Sequence, residues 1–207
     1  MSGFALRFGE GAPRTCLILP ALFEEANRMR RFTVSLMRAL ADRNITTMLP
    51  DLPGQGESTI ALDSIGLDDW HSALADIAAT LPKPLYSIAI RGGALLDGPA
   101  DYRWRLAPES GARILRDMVR ATALSQGKRM TEIDAAARSG PTHLAGNRLA
   151  PRFYAELAAA LVPEGKSRTP DLTGARLWRS AEPAEDAELL AAAVTDIVKW
   201  LDSCAAS

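Results

Sequence analysis

Three short apolar runs, separated by helical stripes, restrict this chain to few folds. "TCLILP" (15–20), "ITTMLP" (45–50) and "LYSIAI" (85–90) each read as a buried strand. Between the first two, Met29, Phe32, Leu36 and Leu40 recur at helical spacing, and Asn44 suits a left-handed stop. Between the second and third, Trp70, Leu74, Ile77, Ala78 and Leu81 make another stripe, with Asp68 as its expected cap and Pro82 and Pro84 as its end. Uninterrupted apolar strands alternating with helices predict an α/β fold, a mainly parallel sheet with both faces covered. "FALRF" (4–8) adds an expected antiparallel edge strand.

The second half is less regular. "DYRWRLAP" (101–108) reads as a further strand, although its charges are unusual for a central one. Ile114, Leu115, Met118, Val119 and Thr122 predict a helix, and Met130 and Ile133 a shorter one, with Thr131 and Asp134 spaced like a capping box. "THLAG" (142–146) reads as a short strand, and Phe153, Leu157 and Leu161 as one face of a helix. "ARLWRS" (175–180) is the expected last strand. Leu190, Val194, Ile197 and Leu201 line the closing helix, with Pro183 in its first turn. No repeat or low-complexity linker divides the chain, so residues 1–207 are expected to form one domain.

Bulk properties exclude more than they assign. The net charge of −1 gives no general reason to expect nucleic acid or an anionic membrane surface as partner. The two cysteines, Cys16 and Cys204, lie near opposite ends, and the two histidines, His71 and His143, lie far apart. That spacing argues against a structural zinc site, and no metal or other cofactor is expected. "MSGFALRFGEGAP" lacks the pattern of a signal peptide, and no stretch has the apolar length of a spanning helix. The expectation is a reduced, cytoplasmic protein without membrane insertion.

The candidate chemistry lies in three loops. "SIAIRGGALLDG" (87–98) runs from an apolar strand into a tight glycine turn and then an apolar, helix-like run. This resembles the nucleophile elbow of α/β-hydrolases, G-x-S-x-G, in which a strained strand-to-helix turn exposes the nucleophile. Here Arg91 stands at the serine position and Ala89 at that of the first glycine. An arginine stays protonated and is neither nucleophile nor base. It is a planar two-point donor for a carboxylate or phosphate. Either Arg91 pairs internally with Glu24 or Glu25, or it binds an anionic group of a ligand or partner, with Gly92 and Gly93 supplying backbone N–H groups. Ser87 lies inside the strand pattern, four residues before the turn, and is a poor substitute nucleophile. Only "ALLDGPA" follows Gly93 before the next strand signal, so either the elbow helix is truncated or "DYRWRLAP" is not a parallel strand.

The other two loops follow the first and second strands. "LPALFEEANRMRR" (19–31) brings Glu24, Glu25, Asn27, Arg30 and Arg31 to the place where α/β-hydrolases carry their oxyanion-hole loop. "DLPGQGES" (51–58) is a glycine-assisted D-x-x-G-x-G-x-S turn. The loop before the closing helix, "RSAEPAED", contains no histidine where a triad would place one.

Together these segments resemble a named family. "LPALFEEANRMRRFTVSLMRALADRNITTMLPDLPGQGES", "IAIRGGALL", "LAPESGARILRDMVR" and "LWRSAEPAED" are similar to the second type of hydrolase-like protein associated with the exosortase A system. The family pattern is P-P-F-x-E-E-x-N-x-x-R-R followed by D-x-x-G-x-G-x-S. This sequence departs from it at Ala21-Leu22 and at Ala89. The resemblance implies a compact α/β-hydrolase-like fold and a setting in bacterial exopolysaccharide production and sorting at the envelope. It draws attention to Glu24, Glu25, Asn27, Arg30, Arg31, Asp51 and Arg91, and it supplies no substrate.

Three functional readings stand at this point. The leading one is a non-classical or catalytically silent α/β-hydrolase-fold protein that binds an anionic ligand or protein partner near Arg91, with Gly92, Gly93, Asn27, Arg30 and Arg31 as further contacts. The second is a hydrolase or transferase with a displaced set drawn from Glu24, Glu25 and His143. The third is a structural subunit of a larger complex. The alanine-rich segments 155–161 and 187–193 permit close helix packing within the chain or in a homo-oligomer.

Overall fold

A computed structural model describes residues 5–174, 176–180, 182 and 184–205. The main sheet contains β1 (Ala5–Phe8), β2 (Arg14–Leu19), β3 (Ile45–Pro50), β4 (Tyr86–Ile90), β5 (Tyr102–Leu106) and a later two-residue strand, β8 (Ser167–Arg168). Its order is β1-β3-β2-β4-β5-β8. Only β1 is antiparallel, and it forms the expected edge. The helices are α1 (Glu24–Ala41), α2 (Leu67–Ala79), α3 (Gly111–Gln126), α4 (Met130–Ser139), α5 (Pro151–Ala159) and α6 (Ala187–Ala205).

Alternation along the strands splits the core in two. Leu17, Leu19 and Ala89 face α2, α3 and α5, while Cys16, Ile18, Tyr86, Ile88 and Ile90 face α1 and α6. On α1 the predicted stripe is buried as Met29, Phe32, Leu36 and Leu40. Asn44 holds φ 59°, the left-handed conformation expected of it.

β5 runs parallel to β4 despite the short connection, because residues 91–96 form a compact 3-10 helix instead of a longer α-helix. Its unusual charges also have partners. Arg105 donates to both oxygens of the fully buried Asp97, at 2.7 and 2.8 Å, and to Pro163 O. Arg103 bridges Asp97 O, Gly98 O and Glu164 O. Trp104, on the opposite face, donates to Asp196. Burial pushes the Asp97 carboxyl above the usual range, opposed by the hydrogen bonds and charge of Arg105.

Several expected elements fall differently. "ARLWRS" does not supply the last strand. Leu177–Arg179 is a 3-10 turn with Leu177 buried against the α1–α6 side, and the sheet ends instead at β8. Ala175 and Pro183 lie outside the described residues. "THLAG" forms β6 (Thr142–Leu144), which pairs only with β7 (Asn147–Leu149) across a turn in which Ala145 and Gly146 both hold positive φ. Leu161 falls beyond α5 and is exposed, because the backbone turns extended at Ala160, ahead of Pro163. Asp68 is not the α2 cap. Gly66 holds that position, and the Asp69 carboxylate accepts its N–H at 2.7 Å. Thr131 lies inside α4, which begins after Arg129 without a side-chain cap.

Candidate functional site

β2 connects outward to β3 and β4 connects the other way to β5, so the sheet changes direction between β2 and β4. Ligands in open α/β sheets bind beyond the strand ends at such a point. Here that point brings together residues 20–25 and the elbow.

Arg91 follows β4 with φ 53°, a strained turn for a side chain as large as arginine. Its side chain is turned inward, and the residue is only 7% exposed. Nε and Nη2 donate to Oε2 and Oε1 of Glu25, both at 3.1 Å. Nη1 donates to Ala107 O at 3.1 Å and lies 3.5 Å from Glu109 Oε2. The guanidinium also lies over the Trp178 ring, 4.8 Å from its centroid. The positive charge is therefore flanked by two carboxylates. Of the two roles open to Arg91, the geometry has the internal pair, with Glu25 as the partner. Glu24 pairs instead with Arg28, at 2.6 Å.

The glycines beside Arg91 bring protein against protein. A Cβ on Gly93 would stand 2.2 Å from Leu19 O and 2.5 Å from Pro20 O. A Cβ on Gly92 would meet Ile114 Cδ1 at 2.6 Å and Leu22 Cγ at 3.1 Å. Gly93 is thus closed over by two backbone carbonyls and Gly92 by apolar side chains. Behind them, Phe23, Trp70 and Phe153 pack in tilted and edge-to-face contacts with ring centroids 4.9–5.9 Å apart. Ser87 is fully buried in β4, and its Oγ has no hydrogen-bond partner among the described residues.

The remaining candidates scatter. Arg31 reaches Glu185 at the surface. Asn27 and Arg30 line a pocket between α1 and the loop after β3, which also holds Asp51. His143 is exposed on β6 and shares an open depression along α3 with Glu24 and Ser125. His71 Nε2 lies 3.2 Å from Leu95 O. Ala107, Glu109 and Trp178 were not singled out by sequence. They lay only inside the segments "LAPESGARILRDMVR" and "LWRSAEPAED", without a role of their own.

A cleft of about 540 Å³ opens beyond Arg91, at the carboxyl ends of β5 and β8. Its walls carry Arg113, Arg176 and Arg179, with Glu109 and Asp171 as counter-charges. Arg176 and Arg179 make no ion pair among the described residues.

No protein-family model matches the chain, and no curated protein matches it. Among solved structures it is similar to Est1E from Butyrivibrio proteoclasticus with ferulic acid bound. That match has a TM-score of 0.53 and 18% identity, and covers 77% of this chain and 68% of that one. It is also similar to alpha/beta hydrolase domain-containing protein 10 from mouse, with a TM-score of 0.48 and 16% identity over 80% and 70% of the two chains. At such identities the likeness is one of fold. The chain has the α/β-hydrolase fold, a mostly parallel sheet flanked by helices. No described helix is long and apolar enough to cross a membrane.

Proposed function

We propose that this chain is a catalytically silent α/β-hydrolase-fold protein that binds an anionic ligand or partner in the cleft beside Arg91. The observation carrying the reading is the Arg91–Glu25 fork at the nucleophile's position. A guanidinium there stays protonated and serves neither as nucleophile nor as base. The anion reading rests on Arg176 and Arg179, which make no ion pair among the described residues and bring positive charge to the edge of the same site. Arg91, with its charge already matched, serves as the wall of that cleft. The resemblance to exosortase A system-associated proteins supports a setting in exopolysaccharide production and envelope sorting, with the chain working in the cytoplasm.

Incubation with a fluorophosphonate probe and with p-nitrophenyl esters tests the silent reading. Neither labelling nor turnover is expected, and labelling lost on mutation of one serine would overturn it. Titration with inorganic pyrophosphate tests the cleft. Saturable binding that disappears in the Arg176→Ala, Arg179→Ala double variant supports it; binding unchanged in that variant, or absent from the parent, defeats it.

A displaced catalytic set is the second reading, favoured by one observation. Glu24, Ser125 and His143 border the same depression. Against it, Glu24 is held by Arg28 and the Ser125 hydroxyl donates to Thr122 O within its own helix. Ester hydrolysis abolished by His143→Ala would establish this reading in place of the first.

A further inference from the structure

A second pocket, sharing no lining residue with the Arg91 cleft, lies beyond the carboxyl ends of β2 and β3. Its volume is about 250 Å³. Leu19, Leu22, Leu49 and Leu52 make it apolar, and Val34 closes it from the side of α1. An apolar hollow with a few convergent polar groups is the usual form of a small-molecule site.

The polar groups are of both signs. Arg30 projects from α1, and neither it nor Asn27 makes a side-chain hydrogen bond or ion pair among the described residues. Asp51, at the end of β3, has its carboxylate fixed by the glycine turn that follows. Oδ2 accepts the Glu57 N–H at 3.0 Å, and a Cβ on Gly56 would lie 2.3 Å from Oδ1. Gly56, at φ 56°, therefore lets the backbone close around that carboxylate. The D-x-x-G-x-G turn thus does more than reverse the chain, since it fixes a negative charge in the wall of a pocket that also holds a positive one. Arg30 and Asp51 do not pair with each other, so each keeps capacity for a ligand.

A purely anionic ligand would be opposed by Asp51, and a purely cationic one by Arg30. A molecule with both charges at one end and an apolar body at the other meets neither penalty. We propose that this pocket binds a small zwitterion of the apolar α-amino acid class, with its carboxylate on Arg30, its ammonium on Asp51 and its side chain among the leucines.

The test is titration of the whole protein with L-leucine, 4-methylpentanoate, which lacks the ammonium, and 3-methylbutylamine, which lacks the carboxylate. Binding is followed by calorimetry and by NMR shifts. Leucine is expected to bind saturably, with both analogues weaker by roughly tenfold or more. Arg30→Ala should weaken leucine toward the level of the amine while leaving the amine no weaker, since it also removes the charge that opposes a cation. Asp51→Asn, which keeps an acceptor for Glu57 N–H, should weaken leucine to the level of the acid. Val34→Phe, at a half-buried helix position, should block all three ligands while circular dichroism reports an intact fold. Equal binding of either singly charged analogue, binding unaffected by Val34→Phe, or no saturable binding of leucine overturns the proposal. None of these outcomes bears on Arg91, so the reading of the elbow stands or falls separately.

Discussion

The Arg91 guanidinium and the Glu25 carboxylate meet in a two-point fork, Nε to Oε2 and Nη2 to Oε1, both at 3.1 Å. The two residues come from the turn after β4 and the first turn of α1. The pair therefore joins the loops that, in a hydrolase, would supply the nucleophile and the oxyanion hole. Glu25 also sits where the α1 dipole favours a negative charge.

Removing one partner should cost more than the pair contributes, because it strands a buried charge. Glu25→Ala leaves Arg91 with Ala107 O and the longer contact to Glu109. A loss of about 2–4 kcal/mol is expected, measured by urea unfolding. Glu24→Ala, which removes a half-exposed pair with Arg28, should cost under about 1 kcal/mol. Equal losses in the two variants would show that the fork has no special role.

The elbow was legible in sequence because a turn signal is local: apolar strand, then glycines. Asn44 was legible for the same reason. What lay beyond local reading was the choice between Glu24 and Glu25, which depends on which face of α1 turns toward β4. The charges of "DYRWRLAP" needed Asp97, in the connection before β5, and the carbonyls of Pro163 and Glu164, far along the chain. "ARLWRS" misled because alternating apolar residues mark burial, and Leu177 is buried, but a turn buries it as well as a strand does.

Gly93 should tolerate no side chain. Its added Cβ would collide with two backbone carbonyls, which cannot swing away as a side chain would. Gly93→Ala is expected to lower stability by about 1–3 kcal/mol or more, as overpacking does. Gly98→Ala, with nothing within 4 Å of its Cβ, should change stability little. Thermal denaturation of both variants checks the contrast, and an unperturbed Gly93→Ala would mean that the elbow yields readily.

Ser87 offers the opposite test. Its hydroxyl is buried with no partner among the described residues, an arrangement in which a polar group is expected to cost stability. Ser87→Ala should be neutral or stabilising by up to about 1–3 kcal/mol in a chemical-denaturation curve. A clear loss of stability would mean that the hydroxyl has a partner, such as an enclosed water.

The acid limb of stability should come from three aspartates. A hydrogen bond from Leu85 N–H, aided by Lys83, holds Asp101 below the usual carboxylate range. Arg138 and Tyr154 do so for Asp134, and Arg168 and Trp104 for Asp196. Each folded value lies below its unfolded one, so the stabilisation is present above about pH 4 and is lost as pH falls through the folded values. Asp97 acts in the opposite sense. Its folded value is raised, so it favours the folded state as pH falls and offsets part of that loss. The melting temperature should therefore be flat near neutrality and fall below about pH 4. Asp196→Asn retains an acceptor for the Trp104 indole but loses the charge facing Arg168. Its melting temperature should start lower at neutral pH and fall less steeply in acid. An acid limb as steep as that of the parent would place the sensitivity elsewhere.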